Sequence, residues 1–170
     1  MIVGLAGYAQ SGKDTIAAIL AEKYGFKRLA FADKVRDLAL EVDDTLRTPY
    51  GNEDWDELKK RPEVRKLLQD IGLGVRKVLG EYTWIDQVLA QIEPDTNYVI
   101  TDVRFPNEID AIRSKGGKVG RISRMGVSAI NDHESEHAVT NAQFDFYIEN
   151  DGDLQELEDT VEFGVREWAK

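Results

Sequence analysis

The sequence predicts an α/β fold: a five-stranded parallel sheet with helices on both faces. Three observations carry that prediction. Apolar, strand-like runs alternate with helix-like ones along the chain, the pattern that builds parallel sheets with crossover helices. Gly7-Tyr8-Ala9-Gln10-Ser11-Gly12-Lys13 reads G-x-x-x-x-G-K and joins the first apolar run to the first helical one. The chain closes on an amphipathic helix, Leu154 to Trp168, with Leu154, Leu157, Val161, Val165 and Trp168 on one stripe.

The elements follow in order. Ile2 to Ala6 is a short apolar run of buried-strand type, and Thr15 to Lys23 is helical. Phe26 to Phe31 is the second strand. Lys34 to Thr45 is helical, with Val35, Leu38, Ala39 and Val42 on one side. Thr48 to Asp56 is polar, contains Pro49 and Gly51, and reads as a loop. Pro62 to Leu79 and Trp84 to Gln91 are helices. Asn97 to Thr101 is a buried strand and Pro106 to Ser114 a helix. Lys118 to Ile122 and Phe144 to Ile148 complete the strands. In such sheets ligands bind at the carboxyl ends of the strands. The glycine loop, Asp102 and the segment after Ile122 all fall at such ends.

Composition narrows the class. The chain has 170 residues, 42% apolar and 32% charged, which suits one globular domain with a sizeable core. No apolar run approaches a membrane span, and the N-terminal run leads into the glycine loop rather than forming a secretory signal. There are no cysteines, which excludes disulfides, thiolate zinc sites and cysteine nucleophiles and fits a reducing cytoplasm. The net charge of −10 repels nucleic-acid backbones, so no polymeric nucleic-acid partner is expected.

The glycine loop has the context its chemistry needs. Glycines let the backbone N–H groups converge on one concavity. The helix N-terminus adds partial positive charge, and Lys13 supplies a full one. Such a site suits the phosphates of ATP or GTP. A chance match in a turn is the alternative, and the strand–loop–helix context argues against it. Asp14 follows the lysine where Ser or Thr is usual. An acid in a helix's first turn gains roughly 0.3–1 kcal/mol from the dipole. Two like charges about 4 Å apart cost on the order of 4 kcal/mol at an effective dielectric near 20. An acid beside phosphates therefore calls for a cation between them. Asp14 is expected to face Mg²⁺, directly or through water, with Thr15 as the alternative hydroxyl ligand.

The helix from Pro62 to Leu79 has a pattern of its own. Val64, Leu67, Leu68, Ile71, Val75, Val78 and Leu79 form its apolar face. Arg65, Gln69, Gly72 and Arg76 fall on one polar stripe, within about 60° of one another. A solvated face is the bland reading. Gly72 and Gly74 favour a ligand or a bend, because each costs about 1 kcal/mol against alanine in a helix.

These motifs resemble the deoxynucleoside monophosphate kinases of phages. Gly-Tyr-Ala-Gln-Ser-Gly-Lys-Asp-Thr is similar to that family's G-x-x-x-S-G-K-D loop, which animal phosphomevalonate kinases approach as well. Further resemblances are Phe31-Ala32-Asp33-Lys34-Val35-Arg36, Leu67 to Gly72 with Arg76 and Trp84, and Thr101-Asp102-Val103-Arg104-Phe105-Pro106-Asn107-Glu108. His133-Glu134-Ser135-Glu136 followed by Ile148 to Gly152 is another. The Asp-Val-Arg-Phe-Pro-Asn-Glu segment is the most specific.

The resemblance implies a single P-loop domain over residues 1–170, with an acceptor-binding helical insertion at about 33–93 and a lid at about 123–135. It implies transfer of the γ-phosphoryl of ATP to a deoxynucleoside monophosphate (dNMP), with Mg²⁺, in the cytoplasm (the host's, for a phage-encoded chain). Gly7, Gln10, Ser11, Gly12, Lys13, Asp14 and Thr15 then hold ATP. Asp14, Thr15 and Asp102 serve the metal, with a cap for the following turn as the lesser alternative for Asp102. Arg36, Arg76 and Arg104 hold the acceptor phosphate by bidentate forks, with Lys34 a weaker candidate. Gln69 reads the base, with Arg65 nearby. Trp84 and Phe105 can stack on that base, and Trp84 fits the core better. Arg121 and Arg124 belong to a lid that closes on the transferring group. Asn150 and Gly152 lie against the adenine in related kinases, where a turn with a helix cap is the alternative. Related kinases dimerise in some cases, and the charge does not forbid a homodimer.

Three rivals stand beside this reading. A P-loop kinase of another small acceptor, such as phosphomevalonate, needs no base pocket. A nucleotide-binding switch needs a guanine-reading N-K-x-D, which the sequence lacks. A zinc hydrolase would use His133-Glu134-Ser135-Glu136-His137, a literal H-E-x-x-H. That motif lacks a third histidine and sits in polar surroundings; the resemblance makes Ser135 and Glu136 lid-side or hinge residues instead, and exposed histidines are the bland alternative for both rings.

Overall fold

The computed structural model describes residues 1–42 and 55–168. These divide into two compact units, one of Met1–Ala30 with Gln91–Lys170 and one of Phe31–Ala90.

The first unit holds the sheet. Its strands are β1 (Ile2–Ala6), β2 (Lys27–Leu29), β3 (Tyr98–Val103), β4 (Lys118–Ser123) and β5 (Phe146–Glu149). They lie in the order β2-β3-β1-β4-β5, and every pairing is parallel. The central strand β1 is buried along its whole length, as its unbroken apolar run requires. Side chains alternate across it. Val3 and Leu5 join a core with α1 (Lys13–Tyr24) and α8 (Leu154–Trp168), through Ile16, Leu20, Leu157, Val161 and Trp168. Gly4 faces the other way. A Cβ there would stand 2.8 Å from Ile112 of α6 (Pro106–Ser114) and 3.0 Å from Val103, so α6 packs close on that face.

The second unit is helical: α2 (Phe31–Val42), α3 (Trp55–Leu58), α4 (Pro62–Leu79) and α5 (Thr83–Leu89). Ala39, Leu58 and Val64 form its buried cluster, joined by Leu40, Trp55, Leu67, Leu68 and Ile71. Pro62 opens α4 at a position where a missing N–H costs nothing. Trp84 is buried, and its indole Nε1 donates to the Gly72 carbonyl at 3.0 Å.

Several expectations need correction. The second strand is only Lys27–Leu29, and Phe31 instead opens α2. Among the described residues strand β2 is an edge paired with β3, and the turn into α2, not the apolar run, ends it. Val78 and Leu79, which the periodicity puts on the apolar face of α4, are 79% and 71% exposed. The helix packs through its first three turns and runs out beyond them. A Cβ added at Gly72 would meet Val35 at an ordinary 3.8 Å, so space does not demand glycine there. The loop expected from Thr48 lies outside the described residues through position 54, and Trp55 begins the unanticipated α3.

Candidate active site

The glycine loop curls over the carboxyl end of the sheet. Gly7 has φ 146° and Gly12 φ 105°, values that L side chains rarely adopt. Each is also a close approach. A Cβ on Gly7 would lie 2.3 Å from the Ile122 carbonyl of β4, and one on Gly12 would lie 2.1 Å from Asn150 Nδ2. Gln10 also takes a left-handed conformation, φ 68°. Asn150 follows β5 and ties these parts together. Its amide donates to the Ser11 carbonyl at 2.9 Å, and its backbone N–H donates to the Ser123 carbonyl at 2.8 Å. Ser11 Oγ is buried without a hydrogen-bond partner.

Lys13 is the first residue of α1. Its ammonium donates to the carbonyls of Gly7 at 2.8 Å and Tyr8 at 2.6 Å. Burial, and then the Arg104 guanidinium, push its pKa down to about 8 against the opposing pull of Asp14, Asp102 and Glu136. Lys13, Asp14, Asp102, Arg104 and Glu136 are thus near enough to share one electrostatic field. Asp14 and Thr15 are exposed in the first turn of α1, and Asp102 is half-buried near the end of β3.

Arg104 leaves β3 through a fixed turn. The buried Glu108 carboxylate accepts the backbone N–H groups of Arg104 at 2.7 Å and Phe105 at 3.0 Å, as Pro106 opens α6. This is capping-box chemistry. The Arg104 side chain is paired through Nη1 with the Glu136 carboxylate of α7 (Glu134–His137). The same nitrogen lies 3.3 Å from the Ser135 carbonyl and 3.5 Å from its hydroxyl. Arg121 of β4 lies over the rings of Tyr8 (5.7 Å) and Phe144 (5.8 Å) and donates to the Val139 carbonyl at 3.4 Å. Gly7, Tyr8, Val103, Arg104, Arg121, Ser135, Glu136 and Val139 line one small pocket. Phe105 is buried beside it in sequence.

Other candidates have contacts of their own. Arg124 is exposed after β4. Gly152 is exposed too, in a turn where Asp153 and Glu156 exchange hydrogen bonds at the start of α8. In the helical unit, Arg36 pairs with Asp37 at 3.1 Å and Asp33 at 3.5 Å and lies over Trp55. Lys34 pairs with Asp37 at 3.2 Å. Arg76 donates to the Glu81 carbonyl at 3.0 Å, and Arg65 and Gln69 are half-buried on α4. His133 precedes α7 as its cap, its Nδ1 accepting from the Ser135 N–H, while His137 is exposed in the helix. The two rings therefore do not share a helix face as H-E-x-x-H chemistry needs.

Sequence reasoning passed over Tyr8, Phe144, Glu108 and the pairing of Glu136. Glu108 had a signal: it stands three residues after Phe105, with Pro106 between, as capping boxes do. Glu136 had none, because nothing local marks one acid in a polar run as buried.

A model of the deoxynucleotide monophosphate kinase family matches residues 52–161. A protein of Acanthamoeba polyphaga mimivirus, provisionally named deoxynucleotide monophosphate kinase, is 28% identical over 184 residues, 92% of each chain. The deoxynucleotide monophosphate kinase of Escherichia phage RB69 is 29% identical over 105 residues, 58% of this chain and 43% of its own. Among solved structures, dephospho-CoA kinase from Campylobacter jejuni superposes with a TM-score of 0.52 at 16% identity, covering 98% of this chain and 96% of its own. Shikimate kinase from Aquifex aeolicus gives 0.51 at 11%, with the same coverage. At such identities these two structures bear on the fold alone.

Proposed function

The chain belongs to the deoxynucleotide monophosphate kinase family, and from that membership we propose that it transfers the γ-phosphoryl of ATP to the 5′-phosphate of a dNMP, giving ADP and the diphosphate. The observation that carries this is the convergence of Lys13, Arg104 and Arg121 beside a loop whose glycines leave room for no Cβ. Phosphoryl transfer is mostly positioning and charge neutralisation, and three cations beside a phosphate cradle supply both.

Each residue then has a task. The backbone of Gly7 to Lys13 and the α1 N-terminus receive the ATP phosphates, and the unpartnered Ser11 hydroxyl offers one more polar group there. Lys13 holds a positive charge against them. Arg104 grips the acceptor phosphate, and Arg121, held over Tyr8 and Phe144, faces the transferring group. The exposed Arg124 belongs to the segment at about 123–135, which acts as the lid. The donor set suits Mg²⁺, a hard cation that takes oxygen ligands: Asp14, Thr15 and Asp102 would hold it. When bound, Mg²⁺ supplies neutralising charge to the ATP phosphates. The helical unit serves the acceptor nucleotide through Lys34, Arg36, Arg65, Gln69 and Arg76. Asn150 and Gly152 form the donor-side turn after β5.

The test is ADP release with ATP and Mg²⁺ against dTMP, dGMP, dCMP, dAMP, their ribose forms and phosphomevalonate, beside Lys13→Ala. Turnover with deoxynucleotides that vanishes in the variant is the expected result. Turnover with phosphomevalonate alone, or ATP hydrolysis indifferent to every acceptor, would overturn the assignment.

A further inference from the structure

We propose that Glu136 is the positioning residue for the acceptor-phosphate arginine: it anchors one arm of Arg104 so that the opposite edge of the guanidinium is offered to an anion. The proposal rests on the assignment of Arg104 made above.

The contacts of Arg104 are one-sided. The Glu136 carboxylate, the Ser135 carbonyl and the Ser135 hydroxyl all approach Nη1. Among the described residues, Nη2 and Nε make no hydrogen bond. That edge carries two parallel N–H groups, the fork that matches two phosphate oxygens. The Arg104 side chain is 33% exposed, whereas that of Glu136 is 1% exposed. The arginine thus reaches toward the pocket from a buried partner. Two further contacts flank the pair. Glu108 fixes the backbone at Arg104, and Ser135 is tied to His133, whose Nδ1 lies 2.9 Å from the hydroxyl.

Charge gives the reason to ask what Glu136 does. A carboxylate beside a phosphate site opposes binding, so its presence among the lining residues needs an offsetting task. Holding a flexible arginine in one rotamer is such a task, because the ordering cost then falls on folding rather than on each binding event.

The test compares wild type, Glu136→Gln, Glu136→Asp, Arg104→Ala and the double variant Arg104→Ala/Glu136→Gln. Steady-state kinetics are run with dNMP and ATP varied in turn, and dNMP is titrated calorimetrically without ATP. Glu136→Gln is expected to raise the dNMP KM and Kd by about tenfold, roughly the worth of one charge-assisted contact. The ATP KM should stay within about twofold, and Glu136→Asp should fall between the two. In the Arg104→Ala background, Glu136→Gln should add nothing. Equal rises for both substrates, an unchanged dNMP Kd, or additive effects in the double variant would each refute the positioning role. A wild-type protein that neither binds nor turns over dNMP would instead refute the reaction, so the two failures are distinguishable.

Discussion

Gly12→Ala should destabilise the fold by several kcal/mol, and Asn150→Ala should partly rescue it. The backbone at Gly12 has φ 105°, and a non-glycine residue held there stores about 1–3 kcal/mol. The new Cβ would also stand 2.1 Å from Asn150 Nδ2. That amide is buried and bonded to the Ser11 carbonyl, so moving it sacrifices the bond and strands a polar group, about 1–3 kcal/mol more. The sum, roughly 2–6 kcal/mol, is a large part of a typical domain's 5–15. At about 2–4 °C per kcal/mol for a chain of this size, the midpoint falls by roughly 5–20 °C. Asn150→Ala alone should cost about 1 kcal/mol, and in combination it removes the obstacle and leaves the backbone strain. Urea unfolding of the four proteins gives the coupling energy directly. Additivity within about 0.5 kcal/mol would refute the packing argument, and a single Gly12→Ala variant as stable as wild type would refute both parts. Gly7→Ala has no equivalent rescue, because its neighbour is the Ile122 main-chain carbonyl.

Three further outcomes follow from particular contacts. Lys13 has a pKa of about 8 in the folded chain against an ordinary 10.5, so the unfolded chain holds more protons between those values. Stability should therefore rise with pH across that window, by up to about 3 kcal/mol; urea unfolding in metal-free buffer should show the slope in wild type, and its persistence in Lys13→Met would contradict the assignment. Trp84→Phe removes the donor to the Gly72 carbonyl and should cost about 1 kcal/mol or somewhat more by denaturant unfolding; an unchanged midpoint would show that the bond contributes nothing. Tyr8→Leu takes one ring from beneath Arg121; at about 0.5–1 kcal/mol for an exposed cation–π contact, kcat should fall roughly two- to fivefold with both KM values steady, and a rise in KM alone would place Arg121 in substrate binding instead.

What the sequence disclosed follows from how local each signal is. Pro62 and Pro106 mark helix starts that need no tertiary information, and α4 and α6 match the expected Pro62–Leu79 and Pro106–Ser114. The stripe of α8 is long enough to be unambiguous. Strand β2 is short because the chain turns into α2 at Phe31 while β3 runs on past Ile100, the last paired residue, and no run of apolar residues records that. The exposure of Val78 and Leu79 likewise depends on where packing stops along α4 rather than on periodicity. In the site, the glycine spacing and Lys13 were legible, since the loop is contiguous. The Arg104–Glu136 pair spans a separation of 32 residues and the Asn150–Ser11 bond one of 139, distances across which sequence carries no spacing rule. Asn150 shows the consequence: the resemblance sets it against adenine, and its bond to the Ser11 carbonyl in the phosphate loop is a contact that no sequence spacing announces.

Asp14 and Asp102 pose the remaining question of charge. Both act on Lys13 through space and raise its pKa, yet the two hydrogen bonds of Lys13 go to carbonyls. Acids that served only as its counter-ions would gain more by direct pairing, since a charge-assisted bond is worth about twice a neutral one. Acting on Lys13 without a bond to it leaves both acids room for the metal-side role proposed above. The two roles make different predictions for Asp102→Asn. If the carboxylate serves the metal, the Mg²⁺ concentration for half-maximal activity should rise about tenfold or more at saturating nucleotide, much as other metal-supporting changes do. If it serves only Lys13, that concentration should hold steady while the pH at which stability begins to climb moves down, because a positive neighbour has lost its attraction. Activity against Mg²⁺, together with unfolding against pH in metal-free buffer, separates the two. An unmoved Mg²⁺ midpoint would remove Asp102 from the metal set and leave Asp14 and Thr15 as its donors.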